Sequence, residues 1–195
     1  MNVLISGGSK NGKSYYAQKL AADMARQEGK PLYYIATMIP RDEEDRARIR
    51  RHLAERDGWG FETLEQPTDL MAALDNPAVN PEGVFLLDSV TAILENEMFQ
   101  RVETETPGGV VLKGNAHVEI VCDETASDRV KADTTAFAKA TGNTIFVSDG
   151  IYGDMGEYSQ STEDYRRSLA SVDRALAQVC DKVIEITYGM EEVWK

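Results

Sequence analysis

The sequence predicts an α/β fold, a mainly parallel sheet with helices on both faces. Three observations predict it. Residues 7–14 read Gly7-Gly8-Ser9-Lys10-Asn11-Gly12-Lys13-Ser14, the pattern G-x-x-x-x-G-K-S, set between an apolar run and a helical one. Short apolar β-type runs alternate with helical patterns along the chain, the order that a parallel sheet with crossover helices requires. One of those runs, Val84-Phe85-Leu86-Leu87, delivers an acid, Asp88, to its C-terminal end, where open α/β sheets place their ligands.

The elements follow in order. Residues 2–6 form a buried first strand. Residues 13–28 form a helix with Tyr16, Ala17, Leu20, Ala21 and Met24 on one face, closed by Gly29. Pro31 introduces a second strand, Leu32-Tyr33-Tyr34-Ile35, ending at Ala36-Thr37. Residues 42–56 are a charged helix whose modest apolar side is Ala47, Ile49 and Leu53. A short strand over Phe61–Leu64 and a short helix over Thr68–Leu74 lead to breaks at Asn76-Pro77 and Asn80-Pro81. The Asp88 strand is followed by a helix over Val90–Phe99. Residues 102–116, with Pro107-Gly108-Gly109 and Gly114-Asn115, read as a loop or insertion, and His117–Cys122 fits a strand or the start of a helix. Residues 124–140 are helical, Thr144–Val147 is a strand ending in Ser148-Asp149, and Gly150–Ser161 is a glycine-containing loop. An amphipathic helix over 162–179 keeps Tyr165, Leu169, Val172, Leu176 and Val179 in step, and Lys182–Thr187 makes a final strand. One domain over 1–195, with an insertion or long loop around 102–123, accommodates all of this.

Composition narrows the setting. Cys122 and Cys180 are too few and too far apart for a disulfide framework, which fits a reducing, cytoplasmic location. No stretch reads as a membrane span or a signal peptide. A net charge of −12 argues against a nucleic-acid surface.

The Gly-rich loop carries the first chemistry. Its backbone N–H groups, from Gly7, Gly8, Ser9, Lys10, Asn11 and Gly12, can point inward at an anion, and the following helix adds its positive end. Lys13 can reach β- and γ-phosphates, and the Ser14 hydroxyl can hold Mg²⁺ together with Asp88. The chain therefore reads as a nucleoside triphosphate binder. Asp88 also fits a cap of the next helix.

Against the acidic background stands a cluster of arginines, Arg41, Arg46, Arg48, Arg50, Arg51 and Arg56, with one histidine, His52, among them. Pairs such as Glu44–Arg48 explain part of the cluster. Arg48, His52 and Arg56 are spaced i, i+4, i+8 and share one helix face.

Taken together, these pieces resemble the bifunctional adenosylcobinamide kinase/adenosylcobinamide-phosphate guanylyltransferase family of cobalamin assembly. The matching residues are Ile5-Ser6-Gly7-Gly8 through Gly12-Lys13-Ser14, Tyr34-Ile35-Ala36-Thr37, Ala47-Arg48-Ile49-Arg50-Arg51-His52 with Arg56, Glu62-Thr63-Leu64-Glu65, and Leu86-Leu87-Asp88-Ser89-Val90-Thr91 with Asn96. The resemblance implies a P-loop NTPase fold of RecA-like type and two reactions at one phosphate loop. Adenosylcobinamide is phosphorylated, and GMP is then transferred from GTP to the product through a GMP–histidine intermediate. It assigns the nucleophile to His52, with Lys13 as the other catalytic residue. Nucleotide contacts fall on Ile35, Ala36, Thr37, Leu53, Ala54, Glu55, Arg56 and Glu65 beside the loop and Asp88. The implied cofactors are Mg²⁺ and GTP, with ATP as a further phosphoryl donor. The implied partners are the corrinoid substrate and copies of the chain itself, in a trimer. The chemistry is consistent, since neutral imidazole is a competent nucleophile and neighbouring arginines neutralise phosphate charge.

The chain departs from the family after Ser148. Where the family has Asn-Glu and a Gly-Ile-Val-Pro stretch, residues 149–159 read Asp149-Gly150-Ile151-Tyr152-Gly153-Asp154-Met155-Gly156-Glu157-Tyr158-Ser159. Ala170, Asp173 and Arg174 replace a Gly and an Asn-Gln pair. These changes bear on corrinoid recognition and subunit contacts, the mark of a divergent member. Two rival readings keep the same loop: a kinase of another small alcohol without guanylyl transfer, and a non-catalytic GTP-binding switch.

Overall fold

In a computed structural model of the chain, which describes residues 1–40, 42–104, 117–153 and 155–195, the first strand β1 (Val3–Gly7) runs directly into the Gly-rich loop and helix α1 (Lys13–Glu28). Gly29 closes α1 in the left-handed conformation, with its N–H bonded to the Ala25 carbonyl. Next come β2 (Leu32–Ala36), α2 (Glu43–Glu55), β3 (Glu62–Glu65), a 3₁₀ turn over Leu70–Asp75, β4 (Val84–Asp88) and α3 (Val90–Met98). Asp42 caps α2 by accepting from the Asp45 N–H, and Ser89 caps α3 by accepting from the Ala92 N–H. The chain continues through β5 (Phe99–Thr104), β6 (His117–Cys122), α4 (Ala126–Thr141), β7 (Thr144–Val147), α5 (Gln160–Val179), β8 (Lys182–Thr187) and β9 (Met190–Val193).

Seven strands form one sheet in the order β3-β2-β4-β7-β1-β8-β9, parallel except for the β8–β9 hairpin. The central strands are buried on both faces, as their near-continuous apolar sequences require. On one face α1 packs Ala17, Ala21 and Met24 against Ile5, Leu86, Val147 and Ile184. On the other, α3, α4 and α5 pack Ile93, Phe137, Leu169, Val172 and Leu176 against Leu4, Phe85, Leu87 and Phe146.

Most elements fall within a residue or two of the sequence reading. The short helix expected over Thr68–Leu74 is a 3₁₀ turn. His117–Cys122 is a strand, paired antiparallel with β5 in a separate two-stranded sheet, so part of the expected 102–123 insertion is a hairpin. Residues 105–116 of that insertion lie outside the described residues. The sequence reading ends on β8 and misses β9, whose residues are all exposed and so carry no alternating pattern. Among the described residues, no helix is long and apolar enough to cross a membrane.

Candidate functional site

The site lies at the C-terminal edge of the sheet, where β7 separates β1 from β4. The loop leaving β1 is held by backbone geometry. Gly7 has φ +148°, and a Cβ there would collide with the Ile186 carbonyl oxygen, so only glycine fits. The Asn11 side-chain amide donates to that same carbonyl. Gly12, at φ +95°, is the N-cap of α1, and no acidic residue neutralises the first turn of that helix. Gly8, Ser9 and Lys10 face solvent, and Ser14 is half-buried.

Lys13 is 6% exposed. Its Nζ donates to the Gly8 carbonyl at 2.8 Å and pairs with Asp149 Oδ1 at 2.8 Å. Asp149 follows β7, and its backbone N–H donates to Thr91 Oγ1 at 2.9 Å, which fixes it between the phosphate loop and α3.

Asp88 ends β4 and gathers the remaining groups. Burial pushes its carboxyl up; a hydrogen bond with Ser14 and the charges of His52 and Lys13 pull it down, while Asp149 raises it. Ser14, His52, Lys13 and Asp149 therefore all act on one carboxylate. The buried Tyr34 also bonds Asp88 through its hydroxyl, which burial drives well above its ordinary value. Arg56 is 7% exposed, and its guanidinium carbon sits 3.5 Å from the centre of the Tyr34 ring. Arg56 follows the last turn of α2 and anchors it, while Ala47 and Leu53 on the expected apolar side are exposed. His52, one turn earlier, is half-buried. The side chains of Arg48 and Glu55 lie outside the described residues, as does Arg41.

Other predicted residues divide between surface and scaffold. Ile35 is fully buried in the apolar core, and Ala36 pairs in register with Asp88 and Glu65. Thr37 is a strut: its hydroxyl accepts from the Ser89 N–H at 3.0 Å and donates to the Asp88 carbonyl at 3.2 Å. Asn96 then donates to the carbonyls of Thr37 and Pro67 at 2.7 and 3.0 Å. Glu65, Leu53 and Ala54 are exposed, and Leu53 and Arg56 line a cavity of about 440 Å³ with Phe61 and Thr63.

Sequence reasoning missed Asp149 and Tyr34 as site residues. Asp149 had one available signal, its place just beyond an apolar strand; Tyr34 had only its place at the head of the matching Tyr34-Ile35-Ala36-Thr37 stretch, since strand aromatics usually serve the core.

Ser14 and Asp88 offer oxygen donors only, a set that suits a hard cation such as Mg²⁺. Among the described residues no group of three or more His, Cys, Asp or Glu forms a metal cluster. Mg²⁺ characteristically takes one or two protein ligands and completes its shell with water and phosphate oxygens.

Comparison with known proteins gives one consistent answer. The family described as cobinamide kinase / cobinamide phosphate guanyltransferase matches residues 3–193. The bifunctional adenosylcobalamin biosynthesis protein CobU of Escherichia coli (strain K12) is 34% identical over 191 residues, covering 97% of each chain. Its namesake from Salmonella typhimurium (strain LT2) is 30% identical over 195 residues, again covering 97% of each. Among solved structures, the flagellar accessory protein FlaH from Methanocaldococcus jannaschii aligns over 100% of this chain and 77% of its own, with a TM-score of 0.50 at 14% identity, a likeness of fold alone.

Proposed function

The chain belongs to the cobinamide kinase / cobinamide phosphate guanyltransferase family, and from that premise we propose that His52 is the nucleophile of guanylyl transfer and that one phosphate loop serves both reactions. The chain is a RecA-like P-loop enzyme with cobinamide kinase and guanylyltransferase roles in adenosylcobalamin biosynthesis, and it uses nucleotide. The finer assignments are ours. The observation that carries them is the convergence of Ser14, Lys13 and His52 on Asp88 at one sheet edge.

In the kinase step, the corrinoid hydroxyl attacks the γ-phosphorus of a triphosphate held by residues 7–14; a new O–P bond forms, the bond to the β-phosphate oxygen breaks, nucleoside diphosphate leaves and the hydroxyl proton is released to solvent. Lys13 gathers charge on the β- and γ-oxygens, and catalysis is mainly positioning. Ser14 and Asp88 would hold Mg²⁺, which supplies charge neutralisation on the phosphates when bound. In the transfer step, a His52 ring nitrogen attacks the α-phosphorus of GTP through its lone pair; an N–P bond forms, the bond to the β-phosphate oxygen breaks and pyrophosphate leaves. A phosphate oxygen of adenosylcobinamide phosphate then attacks the same phosphorus, the N–P bond breaks, and adenosylcobinamide-GDP is released with His52 restored. Arg56, Ala36, Leu53, Ala54, Glu55 and Glu65 are proposed to border the nucleotide, with Ile35 and Thr37 supporting the edge from beneath. We place both steps in the cytoplasm.

The test separates the two activities. His52→Ala should keep phosphorylation of adenosylcobinamide and lose GMP transfer, whereas Lys13→Ala should slow the kinase step about 100- to 1,000-fold. Transfer that survives in His52→Ala would overturn the nucleophile assignment.

A further inference from the structure

One carboxylate at the phosphate loop has no part in the steps above. Asp88 is engaged by Ser14 and Tyr34, whereas Asp149 pairs Oδ1 with Lys13 Nζ at 2.8 Å. The Lys13 side chain is buried, but that of Asp149 is 35% exposed, so the carboxylate is open to a second partner.

Position 149 is fixed from three sides. Its N–H donates to Thr91 Oγ1 on α3 at 2.9 Å. The next N–H, of Gly150, donates to the Gly7 carbonyl at 3.0 Å and ties the segment to the start of the phosphate loop. From α5, Asp173 accepts from Ser148 Oγ and from the Tyr152 hydroxyl, one on each side of Asp149 in the chain. Arg166, also on α5, donates from Nε to the Ile151 carbonyl at 3.1 Å. Such support holds a carboxylate in one place, which is what a group that aligns a reacting atom requires.

We propose that Asp149 accepts a hydrogen bond from the acceptor hydroxyl in the kinase step and aims that oxygen at the γ-phosphorus. This rests on the phosphate-loop reading given above. Lys13 reaches the γ-phosphate oxygens, so a carboxylate 2.8 Å from its Nζ stands beside that phosphate. The phosphates take up the Lys13 charge, and Asp149 is left to face the acceptor. Because β7 lies between β1 and β4, Asp149 enters between the loop and Asp88, while His52 and Arg56 come from the α2 side. The aligned hydroxyl oxygen forms the new O–P bond, the bond to the β-phosphate oxygen breaks, nucleoside diphosphate leaves and the proton goes to solvent. Phosphoryl transfer runs mainly on such alignment, for which an oxygen acceptor at the hydroxyl suffices.

The test sets ATP binding with Mg²⁺, by calorimetry, beside kcat for phosphorylation of adenosylcobinamide. Asp149→Ala should lower kcat about 100-fold with no loss of ATP affinity. Asp149→Asn keeps an oxygen acceptor and should recover to within about tenfold of wild type. An unchanged kcat in Asp149→Ala, with ATP bound, overturns the Asp149 contact and spares the loop. An equal fall of kcat in both variants also overturns it, as an effect of the lost charge beside Lys13 rather than of the acceptor contact. ATP affinity that falls in step with kcat overturns it as well, as an effect on the loop. Failure of the wild-type protein to bind ATP overturns the phosphate-loop reading and the Asp149 contact with it.

Discussion

Asp173 stands on α5 beneath the site, almost fully buried, with Oδ2 accepting from Ser148 Oγ at 2.8 Å and from the Tyr152 hydroxyl at 3.0 Å. Its other oxygen, Oδ1, has no hydrogen-bond partner among the described residues. Burial raises the carboxyl to about 6; the bonds from Ser148 and Tyr152 lower it, and the nearby Asp149 charge raises it. The sign follows from proton counting. Between the ordinary value of 3.8 and about 6, the folded chain holds a proton that the unfolded chain has released. Stability therefore falls as pH rises through that window, by up to about 3 kcal/mol at roughly 1.4 kcal/mol per unit. Asp173→Asn cannot titrate, so urea unfolding at pH 4 and pH 7 should show a smaller loss of stability across that interval than the wild type. An identical loss would contradict the account.

At the scale of elements, the site depends on how strand ends are joined to the loops that follow. Gly7 is the sharpest case. Gly7→Ala places a Cβ against the backbone oxygen of Ile186 at a φ that alanine resists, and should cost at least about 2 kcal/mol. Thermal unfolding should record a Tm lower by several degrees; an unchanged Tm would contradict the packing described. These local features were legible in the sequence because loop, strand and helix are contiguous, and the same holds for the apolar run that delivers Asp88. His52 was legible through family resemblance, since a histidine on a charged helix has no pattern of its own. The pairing of Lys13 with Asp149 and the stacking of Arg56 on Tyr34 were not legible. They join segments separated in the chain, and only the strand order brings them together.

At the scale of the molecule, two observations bear on assembly. The net charge of −12 sits on a chain whose last hairpin and the residue after it expose Met190, Val193 and Trp194. The resemblance implies a trimer, and light scattering on the purified protein should return three times the chain mass; a monomer at working concentration would contradict it.

The central claim is that His52 carries the guanylyl group, and the most direct measurement is covalent labelling. The protein is mixed with Mg²⁺ and α-labelled GTP, denatured, and assayed for label on the chain, with His52→Ala alongside. The account predicts label that is lost in acid, kept in base and absent from the variant, as a phosphoramidate on His52 requires. Wild-type protein that binds GTP but takes up no label, or a variant that labels equally, would contradict it.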